Sequence, residues 1–264
     1  MQHALSRKVV RTLLAFPVFF LSPLLCAAAL SEEPPAGLRH ERLRFHDHDY
    51  DVVSVDLKKA RLELFWKDKH GCPFNNFEGL RSSLESEGRQ LLFATNSGIY
   101  ARDNTPLGLH VENKHELRRL NTTKSFGRGN FSLKPNGVFY VDDAGAHVLT
   151  TEAYQAAAPT PELAVQSGPM LVIKGELHPR FQPDATSRHI RNGVGVRGLH
   201  EVVFVISRVP VNFHEFASLF REQLGCPDAL YLDGTLSGMY APFAGRQDSG
   251  LHYVGMLAVT APKE

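Results

Sequence analysis

The stretch that decides the fold is residues 201–232, which read EVVFVISRVPVNFHEFASLFREQLGCPDALYL. Both ends are short apolar runs rich in β-branched and aromatic residues, which predicts strands. Between them Asn212 can cap a helix, Glu215 occupies the reciprocal capping position, and Gly225 ends an apolar pattern of helical spacing. The stretch predicts a strand, a helix and a strand, which would suit a right-handed parallel crossover.

The rest of the chain adds short strands and one further helix. Residues 76–88 place Phe77, Leu80 and Leu84 on one helical face. Alternating or continuous apolar runs predict the remaining strands, at residues 50–57, 61–66, 91–94, 131–133, 138–141, 170–173 and 254–259. We therefore expect an α+β (mixed α/β) fold: one sheet-dominated domain with many short strands and at least two packed helices.

The first 29 residues differ from the rest. A basic head containing Arg7, Lys8 and Arg11 precedes the apolar run LLAFPVFFLSPLLC, which gives way to three alanines ending at Ala29. This order is typical of a secretory signal peptide. Lipidation at Cys26 and an uncleaved anchor remain as alternatives.

The sequence predicts a signal peptide over residues 1–29, a linker over 30–42 and a single domain over 43–264, in an exported protein that is periplasmic or secreted. Loss of the signal removes three basic and no acidic residues, which changes the net charge from +1 to −2. Such a balance does not favour a nucleic-acid partner. No later apolar run is long enough to cross a bilayer, so membrane contact is expected only through the signal or an uncleaved anchor.

Two cysteines, Cys72 and Cys226, follow the signal region, and a proline follows each of them. Cys72 precedes the first predicted helix and Cys226 follows the second. In an oxidising compartment a disulfide between them would close a long loop and add about 3 to 5 kcal/mol. We predict this bridge, with two free thiols as the alternative.

Four polar, glycine-containing turns adjoin the apolar strands, and they are the places where chemistry is expected. They lie at residues 96–100, 166–169, 188–195 and 233–238. Glycine at a strand end lets a ligand or another backbone approach closely, and the adjacent polar side chain is held on a rigid element. We expect the four turns to converge on one pocket, although each alone is also typical of a simple hairpin connection.

At these turns the sequence resembles the phosphodiester glycosidase family, over roughly residues 91–258. The family's Asn-Gly-Gly-Phe-Phe-like turn is matched by residues 96–100, NSGIY, with Ser97 in place of the first glycine. Its usual Leu-Asp-Gly-Gly-Gly-Ser-Ser segment is matched by LDGTLSG, where Thr235 and Leu236 replace two glycines. Further matches lie at residues 106–108, 129–131, 166–171, 188 and 191–195.

The resemblance implies hydrolysis between a sugar's anomeric carbon and a phosphodiester. The departing phosphate is a weak base and needs little protonation, so one carboxylate with cationic partners would suffice. Asp233 is the predicted carboxylate, as base, nucleophile or ligand to sugar hydroxyls, and a turn cap is its alternative. Arg188 and Arg191 are the predicted phosphate clamp, because a guanidinium matches two phosphate oxygens; a surface ion pair is their alternative.

Neutral groups would bind the sugar. Asn96, Gln166 and Ser237 offer hydrogen-bonding groups, with loop bracing as the alternative. His189 is weighed as a proton shuttle. No Gly-x-Ser-x-Gly elbow is present, which disfavours a serine nucleophile. The full set of predicted substrate-binding residues is Asn96, Gly98, Gln166, Ser167, Gly168, Asn192, Gly193, Gly234 and Ser237.

No metal site is assigned from the sequence. His46-Asp47-His48-Asp49 lacks the His-Glu-x-x-His spacing, and we interpret it as an exposed edge strand with His46 and His48 on one face. Ca²⁺ held by Asp233 and turn carbonyls would suit an extracytoplasmic hydrolase, but an EF-hand-like run of acids is missing. Cofactor use therefore stays open.

The sequence predicts an exported hydrolase of sugar-1-phosphodiester bonds in an envelope or extracellular glycan. The replaced glycines at Thr235 and Leu236 keep a second reading open, an inactive glycan-binding or exopolysaccharide-assembly protein. A generic metallohydrolase ranks third because a clear ligand set is missing.

Overall fold

The described strands pair into three antiparallel sheets, and side chains from alternate strand positions form a core between the sheets. The computed structural model describes residues 33–123, 129–233 and 236–263. Within these ranges the strands are β1 (Leu38–Phe45), β2 (His48–Asp56), β3 (Leu62–Phe65), β4 (Arg89–Asn96), β5 (His110–Glu112), β6 (His115–Arg118), β7 (Gly137–Asp142), β8 (Gly145–Thr150), β9 (Leu163–Ser167), β10 (Met170–Ile173), β11 (Glu176–Leu177), β12 (Asn192–Val196), β13 (Glu201–Ser207), β14 (Asp228–Tyr231), β15 (Met239–Ala241), β16 (Arg246–Gln247) and β17 (Met256–Pro262). The helices are α1 (Phe77–Ser86), α2 (Thr151–Ala157) and α3 (Phe213–Ser218), and a π-helical segment, Leu219–Gln223, continues α3.

The sheets differ in size. Among the described residues, the largest has the strand order β1-β2-β13-β12-β14-β10-β11. The other two have the orders β16-β15-β4-β17-β3 and β6-β5-β9-β7-β8. The expected α+β class is confirmed at this coarse level, and strands dominate the architecture.

Many strands bury both faces. On β13, Val202, Phe204 and Ile206 belong to the central core between the sheets, whereas Val203 and Val205 pack on the side of α3. This division follows from the two-residue period of a strand. The helices cover outer faces in the same way: α1 packs on the β4 and β17 sheet, and α2 packs on β7 and β8.

Both predicted helices are confirmed. Asn212 accepts a hydrogen bond from the backbone of Glu215, whose side chain accepts one from the Asn212 backbone, so the capping box is complete. Gly225 has a φ of +64°, the left-handed conformation that ends helices. Asn76 caps α1 in the predicted place. The short helix α2 was missed, because Tyr154 is its one large buried side chain and no apolar stripe marks it.

The strand-helix-strand prediction is confirmed, since β13 and β14 flank α3 in sequence and belong to the same sheet. β12 is antiparallel to both β13 and β14. β13 and β14 therefore run parallel to each other, with β12 between them.

Three local expectations are wrong. Leu38 pairs with Val55 at the start of β1, so the sheet begins inside the expected 30–42 linker. Residues 131–133 are not a strand, since a 3₁₀ turn occupies Asn130–Ser132. His46 and Asp47 have φ of 44° and 64° and form the tight turn between β1 and β2 rather than an edge strand.

The described residues belong to one compact unit. The expected signal peptide over residues 1–29 lies outside the described residues. In the described ranges, no helix is long and apolar enough to span a membrane.

The predicted disulfide is wrong, because both Cys72 and Cys226 are free thiols. Cys72 lies exposed in a turn after β3, whereas Cys226 is buried in the core beneath α3. A Cβ added to Gly195 would approach the Cys226 Sγ to 2.8 Å, which shows how closely this thiol is packed. A buried sulfur and an exposed one cannot bridge without a rearrangement of the backbone.

Alkylation of the folded protein should modify Cys72 and leave Cys226 unmodified. Burial raises the pKa of the Cys226 thiol to about 12, so neither access nor thiolate favours its reaction. Denaturation should make both thiols reactive, and peptide mass spectrometry would locate the labels. A disulfide-linked Cys72–Cys226 peptide in the unreduced protein would contradict the structure.

Candidate active site

Three of the four predicted turns meet at the side chain of Asn192, the first residue of β12. Its Nδ2 donates to Thr95 Oγ1 at 3.1 Å and to Asn96 Oδ1 at 2.9 Å, both near the end of β4. Its Oδ1 accepts from the backbone N–H of Asp233 at 3.1 Å, just after β14. Asn192 is fully buried, so its amide fixes the ends of three strands from two sheets. These three turns therefore lie together, and their convergence on one pocket stays a prediction.

Further bonds fix the segment that follows Asp233. The Gly238 N–H donates to Asn96 Oδ1 at 2.8 Å, and Thr95 Oγ1 donates to the Gly238 carbonyl at 2.9 Å. Ser237 Oγ is 2.6 Å from the Asp233 carbonyl oxygen. A Cβ on Gly238 would lie 1.8 Å from the Tyr253 hydroxyl, so glycine is required there. Gly234, a predicted contact, lies outside the described residues, as does Thr235.

Asp233 carries the candidate catalytic carboxylate. Its exposed fraction is 7%, at the edge of the core. Burial and then the charge of Asp233 raise the pKa of Tyr100, whose hydroxyl donates to the His252 carbonyl at 3.2 Å. Burial likewise raises the pKa of Tyr231; the positive charge of Arg191 lowers this pKa, and the negative charge of Asp233 raises it further. The carboxylate therefore acts electrostatically on two tyrosines, one of them half-buried near the surface.

The turn at residues 166–169 braces the site rather than offering groups to a sugar. Gln166 Oε1 accepts from Leu109 N and Asn121 N, and its Nε2 donates to Asn121 O and Thr151 Oγ1. All four hydrogen-bonding positions of this amide are thus used within the protein. Ser167 Oγ donates to the Leu232 carbonyl beside Asp233. The prediction of substrate contact by Gln166 is corrected to a bracing role.

The predicted glycines also face protein atoms. A Cβ added to Gly98 would approach a Val165 methyl to 2.8 Å, and one on Gly168 would approach the Asn136 Cβ to 2.4 Å. At Gly193 the nearest atom would be a backbone oxygen at 3.0 Å, with Phe216 of α3 at 3.1 Å. These glycines permit close packing of strands and α3, and their predicted contact with substrate stays a prediction.

Arg191 is buried, and its predicted role as a phosphate clamp is corrected. Nε donates to the Val211 carbonyl at 2.8 Å, Nη1 to the Tyr231 hydroxyl at 3.2 Å, and Nη2 to the Ser187 carbonyl at 3.0 Å. The guanidinium lies 3.7 Å from the centre of the Phe213 ring. Its exposed fraction is 1%, which leaves no face for a ligand. Arg191 therefore ties the start of β12 to α3.

Arg188 has the alternative role weighed from the sequence, an ion pair. Its Nη1 and Nη2 donate to Glu215 Oε1 at 3.0 and 2.7 Å. Glu215 is the same residue that completes the cap of α3. His189 pairs through its backbone with Val211, and its side chain is exposed.

A buried ion network near Ser237 was missed by the sequence reasoning. Asp51 Oδ2 accepts from Arg208 Nη1 and from Arg246 Nη1, both at 2.7 Å, and its Oδ1 lies 3.2 Å from His40 Nε2. Asp51 is 1% exposed. Up to 195 positions separate these partners, so no motif could indicate them.

Two adjoining cavities lie beside this network. One, of about 480 Å³, is lined by Ser237 and Leu251 among others, and a second, of about 430 Å³, is lined by arginines. They share Ile190, Arg246 and Asp248. Ser237 connects the first cavity to Asp233 through its hydrogen bond. These two cavities are therefore the candidate space for a ligand next to Ser237.

A histidine on the other side of the site was also missed. His110 is 1% exposed and its Nε2 lies 2.7 Å from Glu112 Oε1. A Cβ on Gly255 would approach Ser97 Oγ to 2.3 Å and His110 Cε1 to 3.3 Å, so both side chains border this glycine. The resemblance marked Ser97 as a replaced glycine, which was the only signal for this position.

Within the described ranges, no three His, Cys, Asp or Glu side chains lie close enough together to hold a metal ion. His46 and Asp47 belong to the β1–β2 turn instead. Cofactor use is therefore left open, Ca²⁺ included.

Comparison with known proteins gives a consistent family. Residues 89–254 match the phosphodiester glycosidase family. The uncharacterised protein YigE of Escherichia coli (strain K12) is 36% identical over 189 residues, which cover 72% of this chain and 73% of YigE.

Solved structures show the same fold at low identity. The catalytic domain of zebrafish N-acetylglucosamine-1-phosphodiester alpha-N-acetylglucosaminidase, auto-inhibited by its pro-peptide, has a TM-score of 0.57 and 14% identity, over 85% of this chain and 82% of that one. A hypothetical protein from Synechocystis has a TM-score of 0.54 and 13% identity, over 85% and 62% of the two chains.

Proposed function

Because this chain belongs to the phosphodiester glycosidase family, we propose that it is an exported hydrolase that cleaves sugar-1-phosphodiester bonds in an envelope or extracellular glycan. The observation that carries the proposal is the position of the Asp233 carboxylate. This carboxylate follows β14 inside the matched region, the buried amide of Asn192 holds its backbone N–H, and its carbonyl accepts from Ser237, which lines one of the two cavities. Export rests on the basic and apolar pattern of residues 1–29.

The proposed reaction uses Asp233 as a general base. Asp233 takes a proton from water, the water oxygen bonds to the anomeric carbon, and the bond from that carbon to the phosphate oxygen breaks. The electron pair of that bond leaves with the phosphate, which departs as a monoester. A phosphate of this kind is already a weak base, so cationic groups can replace a general acid.

Asp233→Asn should lower kcat/KM for an α-N-acetylglucosamine-1-phosphodiester by about 100- to 10,000-fold, because the base is lost while the backbone N–H that bonds Asn192 remains. Release of free sugar by the purified protein is the measurement. Asp184→Asn, at an exposed carboxylate, is the matched control and should match the unchanged protein. Equal turnover by Asp233→Asn would remove Asp233 from the reaction.

A glycan-binding or exopolysaccharide-assembly protein without activity is the second candidate. The observation favouring it is the replacement of two family glycines by Thr235 and Leu236 in the segment after Asp233. Calorimetry with the same sugar phosphodiester separates the two. Binding without turnover by the unchanged protein would support this candidate, and Ca²⁺-stimulated turnover after chelation would add a metal to the enzyme.

A further inference from the structure

The second cavity is lined by three arginines that come from separate parts of the chain. Arg42 lies on β1, Arg208 directly follows β13, and Arg246 begins β16. The cavity holds about 430 Å³ and has no lysine in its lining. Arginine is the side chain suited to recognition of phosphate, because its planar fork can donate to two oxygens at once.

The β1–β2 register explains why the arginines gather here. Arg42 lies directly opposite Asp51, so both side chains lie on the same face of the sheet. The buried carboxylate of Asp51 accepts hydrogen bonds from Arg208 and Arg246. These bonds hold two of the three guanidinium groups in place before any ligand binds. An arginine already held in place loses less conformational freedom on binding.

The charges leave an excess of one. The three guanidinium groups carry +3, and Asp51 and Asp248, which receives two bonds from Arg246, carry −2. Arg42 is exposed, and within the described part of the chain its side chain makes neither a hydrogen bond nor an ion pair. Arg208 keeps 36% of its side chain exposed. The site thus has one unpaired cation and one partly exposed cation facing open space.

The arginine cavity continues towards the candidate carboxylate. It shares Ile190, Arg246 and Asp248 with the neighbouring cavity, which Ser237 also lines. Ser237 Oγ donates to the Asp233 carbonyl at 2.6 Å. A substrate placed along the two cavities would therefore pass from the arginines to the region of Asp233.

We propose that Arg42, Arg208 and Arg246 form the anion subsite of this enzyme and bind phosphate on the aglycone side of the cleaved bond. The proposal rests on the proposed function for its substrate class. A phosphodiester carries one negative charge, which matches the excess of one in the cavity. The departing monoester gains charge, so cations on this side also favour the reaction. Arg188 and Arg191, predicted for this role from the sequence, are engaged elsewhere.

Titration of the purified protein with inorganic phosphate tests the subsite without any turnover. Arg42→Gln should weaken phosphate binding by about 10-fold or more, since a charge-assisted contact is lost. It should leave the melting temperature unchanged, because the Arg42 guanidinium bonds to no other described residue and the backbone pairing with β2 is kept. Arg39→Gln is the matched control: it lies on the same strand, outside this cavity, and removes the same charge. The control should keep the affinity of the unchanged protein.

A kinetic measurement separates failure of the subsite from failure of the function. With the sugar phosphodiester as substrate, Arg42→Gln should raise KM by a similar factor, and phosphate should inhibit the unchanged protein competitively. Turnover with unaltered KM and phosphate affinity in Arg42→Gln would overturn the subsite and leave the proposed function intact. Phosphate binding that depends on Arg42, in a protein without turnover, would support the subsite and reject the hydrolase. No phosphate binding by the unchanged protein would also overturn the subsite.

Discussion

Replacement of Asn192 by alanine is expected to lower the free energy of unfolding by about 3 kcal/mol and to abolish the proposed hydrolysis. The amide of Asn192 is the shared partner of Asn96, Thr95 and the Asp233 N–H. Removal of this buried amide takes away the acceptor of the Asp233 N–H. It also takes away the donor that Thr95 and Asn96 of β4 share. An unsatisfied buried group costs about 1 to 3 kcal/mol, and more than one is created here.

Denaturant unfolding and sugar release measure the two effects separately. Gln90→Ala is a suitable control, because it removes an exposed amide side chain from β4 and should change stability by less than about 0.5 kcal/mol. Asn192→Asp keeps the shape but places a carboxylate against the Asn96 carbonyl oxygen, so it should also destabilise. An Asn192→Ala protein as stable as the Gln90→Ala control would refute the bracing role.

Local features of the fold were predictable from the sequence because their causes are local. Asn212, Glu215 and Gly225 fall within one helix and its two ends, so their spacing alone determines the cap and the stop. The β1–β2 turn at His46 and Asp47 shows the limit of the same reasoning. Alternation of polar residues looks alike in a strand and in a hairpin turn, and pairing with a distant strand decides between them.

The polar turns were located correctly, but the use of their side chains was not predictable. Asn, Gln and Ser can bind a sugar or each other equally well. The Gln166 amide is hydrogen-bonded to Leu109, Asn121 and Thr151, and these partners come close together only when separate segments of the chain pack. Arg191 and Arg246 show the same difficulty for charge: the first is enclosed by aromatic rings, and the second lines the cavity, for reasons that depend on tertiary contacts.

Asp51→Ala is expected to destabilise the protein by about 3 kcal/mol and to loosen the arginine cavity. Removal of one partner of a buried ion network leaves the others desolvated without compensation, which typically costs about 3 to 5 kcal/mol. Arg246 retains Asp248 as a partner, which places the effect at the lower end. Asp143→Ala removes an exposed carboxylate, 96% accessible, and should leave the unfolding free energy nearly unchanged. Equal stability of the two variants would contradict the network.

The same carboxylate makes the stability depend on pH with a defined sign. Burial opposes ionisation of Asp51, but hydrogen bonds from His40 and Arg246 and the charge of Arg208 hold its pKa well below the ordinary value. The pKa of Asp51 is lower in the folded protein than in the unfolded chain, where it is about 4. The stability that ionised Asp51 contributes is therefore fully present above the unfolded pKa and is lost as the pH falls towards the folded pKa. Between about pH 5 and pH 3 the unchanged protein should therefore lose stability more steeply than Asp51→Asn, which has no carboxylate to titrate there. Denaturant midpoints measured across this range test the expectation, and parallel curves for the two proteins would show that Asp51 is not held ionised by its arginines.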